Sequence, residues 1–176
     1  AALDTYGVPY SYFADQKLKE GNLRNRYDVI VFPHVGGTSA SMINGIAMTG
    51  NAPIPYKKTA ETPNLGGMDE TDDIRGGMGF EGLQELAKFV QLGGALITEG
   101  STAALMAEYN LSGGVTVEHP AALFARGSIL RGVFADLKSP IAYGYDGKDL
   151  PVYFNQDPVL NASAAESTRA IGGPGG

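Results

Sequence analysis

Gly93-Gly94-Ala95-Leu96-Ile97-Thr98-Glu99-Gly100-Ser101-Thr102-Ala103-Ala104-Leu105 is the stretch on which the fold turns. It reads as a helix stop, a short buried strand, a tight glycine turn and a new helix running from Ser101, as its N-cap, to Tyr109. Many α/β enzymes present a nucleophile on such a strand–turn–helix. Immediately upstream, Phe80, Leu83, Leu86, Ala87 and Val90 recur at helical spacing, which predicts an amphipathic helix that Gly93-Gly94 ends. Further upstream, Tyr27-Asp28-Val29-Ile30-Val31-Phe32-Pro33 holds four consecutive apolar β-formers, the pattern of a parallel strand buried on both faces.

Between these two strands, His34 to Gly79 shows no period, is rich in glycine and proline, and carries the acidic cluster Asp69, Glu70, Asp72 and Asp73. Structureless connections of this length are uncommon in compact domains, so residues 35–79 read as an insertion. Before the first strand, Ala1 to Tyr6 with Gly7 resembles the end of a helix. Pro9 to Phe13 alternates like a short strand, and Asp15 to Arg26 is a polar connection. After the elbow, Val115-Thr116-Val117, Ile141 to Tyr145 and Pro151 to Phe154 read as strands, with Ser128 to Phe134 mixed and Asp146-Gly147 a turn. The C-terminal third is therefore β-rich. A single domain over 1–160 and a Gly/Ala/Ser-rich linker or tail over 161–176 account for the chain. It opens on Ala1 without Met, and the expectation is a processed piece with more chain beyond both ends.

A net charge of −6 with scattered basic residues opposes binding to a nucleic-acid backbone, and no apolar run is long enough for a membrane span. The chain has no cysteine, so thiolate nucleophiles, thiolate metal ligands and disulfides are excluded within it. Asn110-Leu111-Ser112 and Asn161-Ala162-Ser163 are formal glycosylation sequons.

The two strand motifs together resemble class I glutamine-amidotransferase-like domains. Phe32-Pro33-His34-Val35-Gly36-Gly37, the segment Gly66 to Gly79 and Tyr143-Gly144-Tyr145 are similar to the C-terminal amidotransferase-like region of large secreted bacterial proteins of the zinc carboxypeptidase A-like family. The resemblance covers nearly the whole chain. It implies a flavodoxin-like fold, a three-layer parallel sheet between helices, from which the first strand is missing or is borrowed from a neighbour. It also implies a secreted or periplasmic location and a preceding peptidase domain, or other copies of the chain, as partners.

In active relatives the nucleophile is a cysteine two residues before the elbow glycine, and anchoring on Gly100 puts Thr98 there. A threonine hydroxyl needs an activating base to attack a carbonyl, so the substitution removes the family's thiol chemistry. His119 stands where the resemblance places the catalytic base, which makes Thr98 or Ser101 with His119, supported by Glu99 or Glu118, the candidate catalytic group. His34 follows the first strand at the sheet edge where α/β sites form, and Gly36-Gly37 matches the position of the family's oxyanion-hole amides. The family's zinc centre draws on a His-x-x-Glu pair that neither His34 nor His119 begins, so zinc belongs to the parent's peptidase domain. Asp69, Glu70, Asp72 and Asp73 offer hard oxygen ligands for calcium, against the alternative of a solvated acidic loop. No glycine pair forms a nucleotide-binding pattern.

Three functions remain open. The leading one is a non-catalytic or degenerate accessory domain serving interdomain packing, assembly or substrate presentation. The second is a Ser/Thr-His hydrolase, which requires a hydroxyl within about 3.2 Å of an imidazole nitrogen. The third is a structural subunit of an extracellular assembly, suggested by Tyr143, Tyr145 and Tyr153, since aromatic residues are enriched in interfaces.

Overall fold

A computed structural model describes residues 2–162 and shows an α/β chain of short helices and small sheets. Where the sequence suggests one domain over 1–160, the chain divides into two compact units, with the boundary between Leu105 and Met106. The expected tail lies outside the described residues from 163 onward.

The first unit begins with α1 (Ala2–Thr5), which closes as the sequence predicts: Val8 N–H donates to Leu3 O and Gly7 N–H to Asp4 O, a paired helix-end motif. Pro9 to Phe13, expected as a strand, forms no strand and pairs with no other segment among the described residues. Phe13 is held instead by its side chain, stacked on Tyr27 at 5.1 Å. The polar stretch 15–26 is not a plain connection. It forms α2 (Asp15–Lys19) and α3 (Leu23–Arg26), each anchored by one buried leucine, Leu18 and Leu23. Two apolar residues in twelve give no period, so packing and not propensity makes these helices.

β1 (Val29–Phe32) pairs in parallel with β2 (Ala95–Thr98), in register from Val29 with Ala95 to Phe32 with Thr98. Burial on both faces, as the run of β-formers predicts, is not found. Ile30 is buried and Leu96 half-buried on one face, while Val29 and Val31 on the other are 51% and 58% exposed. The reason is that helices of the first unit cover only the Ile30 face, so the alternating side chains have opposite fates. Each described sheet has two strands, and a three-layer arrangement is not formed by them.

α5 (Gly79–Gln91) is the helix that the apolar spacing predicts, and Gly93 ends it, but its buried arc is rotated. Gly82, Leu83, Leu86, Ala87 and Phe89 face inward, whereas Phe80 and Val90 are 59% and 42% exposed. Two close approaches set this rotation. A Cβ on Gly94 would lie 2.3 Å from the Phe89 ring, and one on Gly82 would lie 3.0 Å from Met78 and 3.4 Å from Leu18. Burial of Phe89 and Leu86 is worth about 1.5–3 kcal/mol each.

The insertion is folded. After α4 (Ser39–Asn44), two limbs run antiparallel: Gly76 N–H donates to Ile46 O, Ile74 N–H to Ile54 O, and Tyr56 and Thr71 exchange both amide bonds at 2.9 Å. Arg75, its side chain 9% exposed, closes them. Its guanidinium donates to both Asp73 carboxylate oxygens and to the carbonyls of Met48 and Asn51. The same carboxylate accepts the amides of Ile54 and Arg75.

At the boundary, α6 (Leu105–Glu108) follows a 3-10 turn over Gly100–Ala104. In the second unit, β3 (Thr116–Glu118) pairs antiparallel with β6 (Val159–Asn161), and β4 (Ser128–Val133) with β5 (Asp149–Phe154). Ile141 to Tyr145, expected as a strand, is a turn. Pro140 opens a 3-10 segment, and the amides of Ala142, Tyr143 and Tyr145 each donate to the carbonyl three residues back.

Candidate functional site

The candidate site lies at the C-terminal edge of the β1–β2 pair, where both strands end and each leads into a polar loop. β1 delivers His34 two residues after its end, and β2 delivers Glu99, Gly100, Ser101 and Thr102. His34 Nδ1 accepts a hydrogen bond from the Ser101 amide at 3.0 Å. With Nδ1 an acceptor, the neutral ring carries its proton on Nε2. Gly100 makes this approach possible. Its φ is +56°, and a Cβ there would sit 2.6 Å from His34 Nδ1.

Thr102, fully buried, is the residue that binds the two strand ends together. Its hydroxyl lies 2.7 Å from Phe32 O on β1 and 2.9 Å from Glu99 O, to which it donates, and it accepts the Glu99 amide at 3.1 Å. The turn after β2 is thus organised by Thr102 and not by Ser101, which is not the N-cap expected from its position; the first element after the elbow is 3-10. A Ser-Thr pair after a glycine is a visible capping signal, but the sequence does not say which of the two hydroxyls reaches back.

Neither predicted nucleophile is hydrogen-bonded to an imidazole. Thr98 occupies the last paired position of β2, opposite Phe32. Ser101 Oγ is buried and makes no hydrogen bond among the described residues; its amide reaches His34. Glu99 contributes its backbone groups to Thr102. On the other side of the edge, Gly36-Gly37 leads to Thr38, which caps α4. Thr38 N–H donates to Ser41 Oγ and Ser41 N–H donates to Thr38 Oγ1, so this pair is consumed within the cap.

His119 belongs to the second unit. Its neighbour there is Asp157, with Nδ1 3.9 Å from Oδ1, and both side chains are well exposed. Glu118 accepts from Asn161 Nδ2 across the β3–β6 pair.

The acidic cluster is dispersed by its partners. Asp73 is held by Arg75, whose hydrogen bonds keep its carboxyl well below the ordinary carboxylate range. Asp72 pairs with Lys57, and Asp69 accepts the amides of Ala14 at 2.7 Å and Glu70 at 3.0 Å. Among the described residues no three His, Asp or Glu side chains converge as metal ligands would, and no helix is long and apolar enough to cross a membrane.

As a chemical device, the edge joins two strands through one imidazole and one hydroxyl. The chain matches no protein-family model, no curated protein and no solved structure.

Proposed function

We propose that this chain is a catalytically silent amidotransferase-like α/β segment, an accessory part of a secreted bacterial protein with a zinc carboxypeptidase-like domain, serving packing, assembly or substrate presentation. The reading joins the motif resemblance to one observation: Ser101 Oγ is buried without a partner among the described residues, while the Ser101 amide occupies His34 Nδ1. A serine hydrolase needs the reverse, with the hydroxyl on the imidazole and open to substrate. The parallel β1–β2 pair and the strand–turn–helix after it support flavodoxin-like ancestry, and Thr98 at the elbow supports loss of the thiol chemistry. Zinc, on this reading, belongs to the peptidase domain of the parent.

The rival is a hydrolase that uses Ser101 with His34, favoured by their adjacency in the fold. A fluorophosphonate probe with intact-mass detection separates the two. The accessory reading expects no adduct above that of S101A. An adduct on Ser101 that disappears in S101A and H34A would establish the hydrolase instead. The link to a parent is checked by the mass and zinc content of the natural protein captured with an antibody to this segment. The expected species is larger than this chain and carries zinc, and a zinc-free species of this size overturns it.

A further inference from the structure

Asn110-Leu111-Ser112 is a motif that the accessory reading leaves unused, and the fold gives its two polar side chains no structural task. Asn110 follows α6 by two residues. The Leu111 amide donates to Met106 O at 2.7 Å and the Asn110 amide to Ala107 O at 3.1 Å, the paired bonds that close a helix where the chain turns left-handed. Asn110 makes that turn at φ +55°, a conformation that glycine and asparagine adopt more readily than other residues. The backbone therefore accounts for a Gly or an Asn at this place but makes no use of the carboxamide. Asn110 is exposed, and its carboxamide makes no hydrogen bond among the described residues.

Ser112 is a second, independent anomaly. Its Oγ is buried and has no hydrogen-bond partner among the described residues. An unpaired buried hydroxyl lowers stability, and an alanine in the same place would avoid that penalty. Packing thus explains neither side chain, yet both belong to one three-residue pattern that N-glycosylating enzymes read, Asn-x-Ser with x other than proline. Leu111 satisfies the middle position. Glu108, exposed and two residues ahead of Asn110, adds a carboxylate for charge-assisted contact with such an enzyme. The other sequon is held differently. Asn161 lies in β6, paired with β3, and its Nδ2 donates to Glu118 across that pair, so the nitrogen that would have to react is already engaged.

We propose that Asn110, and not Asn161, is the acceptor of an N-linked oligosaccharide supplied by a lipid pyrophosphate-linked donor. Asn110 Nδ2 forms a bond to the anomeric carbon of the first sugar. The bond from that carbon to the pyrophosphate oxygen breaks, the oxygen leaving with the electron pair, and one Nδ2 proton passes to a base of the transferase. Opening the turn after α6 brings Ser112 out beside Asn110, and its hydroxyl leaves no hydrogen-bond partner behind among the described residues. The assignment rests on the secreted reading for the compartment in which chain and donor meet, whereas the acceptor chemistry belongs to the turn itself.

The test incubates the purified folded chain with a bacterial oligosaccharyltransferase and its lipid pyrophosphate-linked oligosaccharide, followed by intact mass and glycopeptide mapping. The expected result is one glycan per chain, on Asn110. It should be lost completely in N110G, which retains the left-handed turn, and in S112A, whose unfolding midpoint should be no lower than that of the parent. N161Q should keep it. A peptide spanning residues 104–116 serves as the unfolded acceptor. A modified peptide beside an unmodified chain overturns the proposal, as do failure of both, a glycan on Asn161, or one that survives N110G. In the natural protein recovered from outside the cell, the Asn110 peptide should carry the glycan, and a bare Asn110 there overturns the assignment. A chain modified at Asn110 in the purified reaction but found only in the cytoplasm would sink the secreted reading and leave the acceptor standing.

Discussion

At the scale of single residues, the edge between the two strands depends on one hydroxyl. Thr102 is fully buried and serves the Phe32 and Glu99 carbonyls and the Glu99 amide with a single group. Thr102→Val preserves shape and strips the hydroxyl from Phe32 O and from the Glu99 amide, while Glu99 O keeps the Thr102 amide, so the expected loss of stability is about 1–3 kcal/mol by denaturant unfolding. Thr102→Ser keeps the hydroxyl and is expected to recover most of it; a valine variant as stable as the parent would contradict the role. The sequence does not announce this, because a threonine after a glycine-serine turn fits equally well as a helix residue, a cap or a solvent-facing side chain. His34 is legible as an edge residue, since it follows a strand of β-formers. Its partner is not, because pairing with the Ser101 amide requires the register of β1 on β2.

At the scale of elements, the insertion shows how a segment without sequence periodicity acquires order. Its limbs share few ladder bonds, and Arg75 supplies what a longer sheet would, by reaching Asp73 and the carbonyls of Met48 and Asn51. The Arg75 bonds hold the Asp73 carboxyl below its unfolded value. A depressed carboxylate contributes fully above its unfolded pKa, about 3.9, and loses that contribution as the pH falls below it. The amides of Tyr56 and Thr71 should therefore lose exchange protection in acid before that of Leu86 in α5. In D73N the same amides should already be weakly protected at neutral pH, with little further acid dependence. Protection that falls equally in α5 and in the insertion would show that the clasp does not act locally. In the sequence, Arg75 is one of several scattered cations, and only folding reveals what surrounds it. α5 is legible because its apolar residues repeat, yet its rotation is decided by Phe89 meeting Gly94, a contact that periodicity does not encode.

At the scale of the molecule, the α/β class and both parallel strands follow from the runs Val29–Phe32 and Ala95–Thr98, whose β-branched and apolar residues suit a sheet. The short helices at Asp15 and Leu23 do not follow, because Leu18 and Leu23 gain their weight only from burial. The pairing of the two strands has a kinetic consequence. Joining Val29 to Ala95 requires closing everything between them, whereas Leu130 meets Val152 across a much shorter connection. Closure entropy rises with the length enclosed, and contacts distant in sequence form more slowly. Pulse-labelled exchange during refolding is expected to protect β4 and β5 amides before those of Leu96 and Ile97, and simultaneous protection would argue against that order. The Arg75 clasp then acquires a second meaning: by folding the insertion onto itself, it shortens the path that the chain must close and thereby hastens the meeting of the two parallel strands.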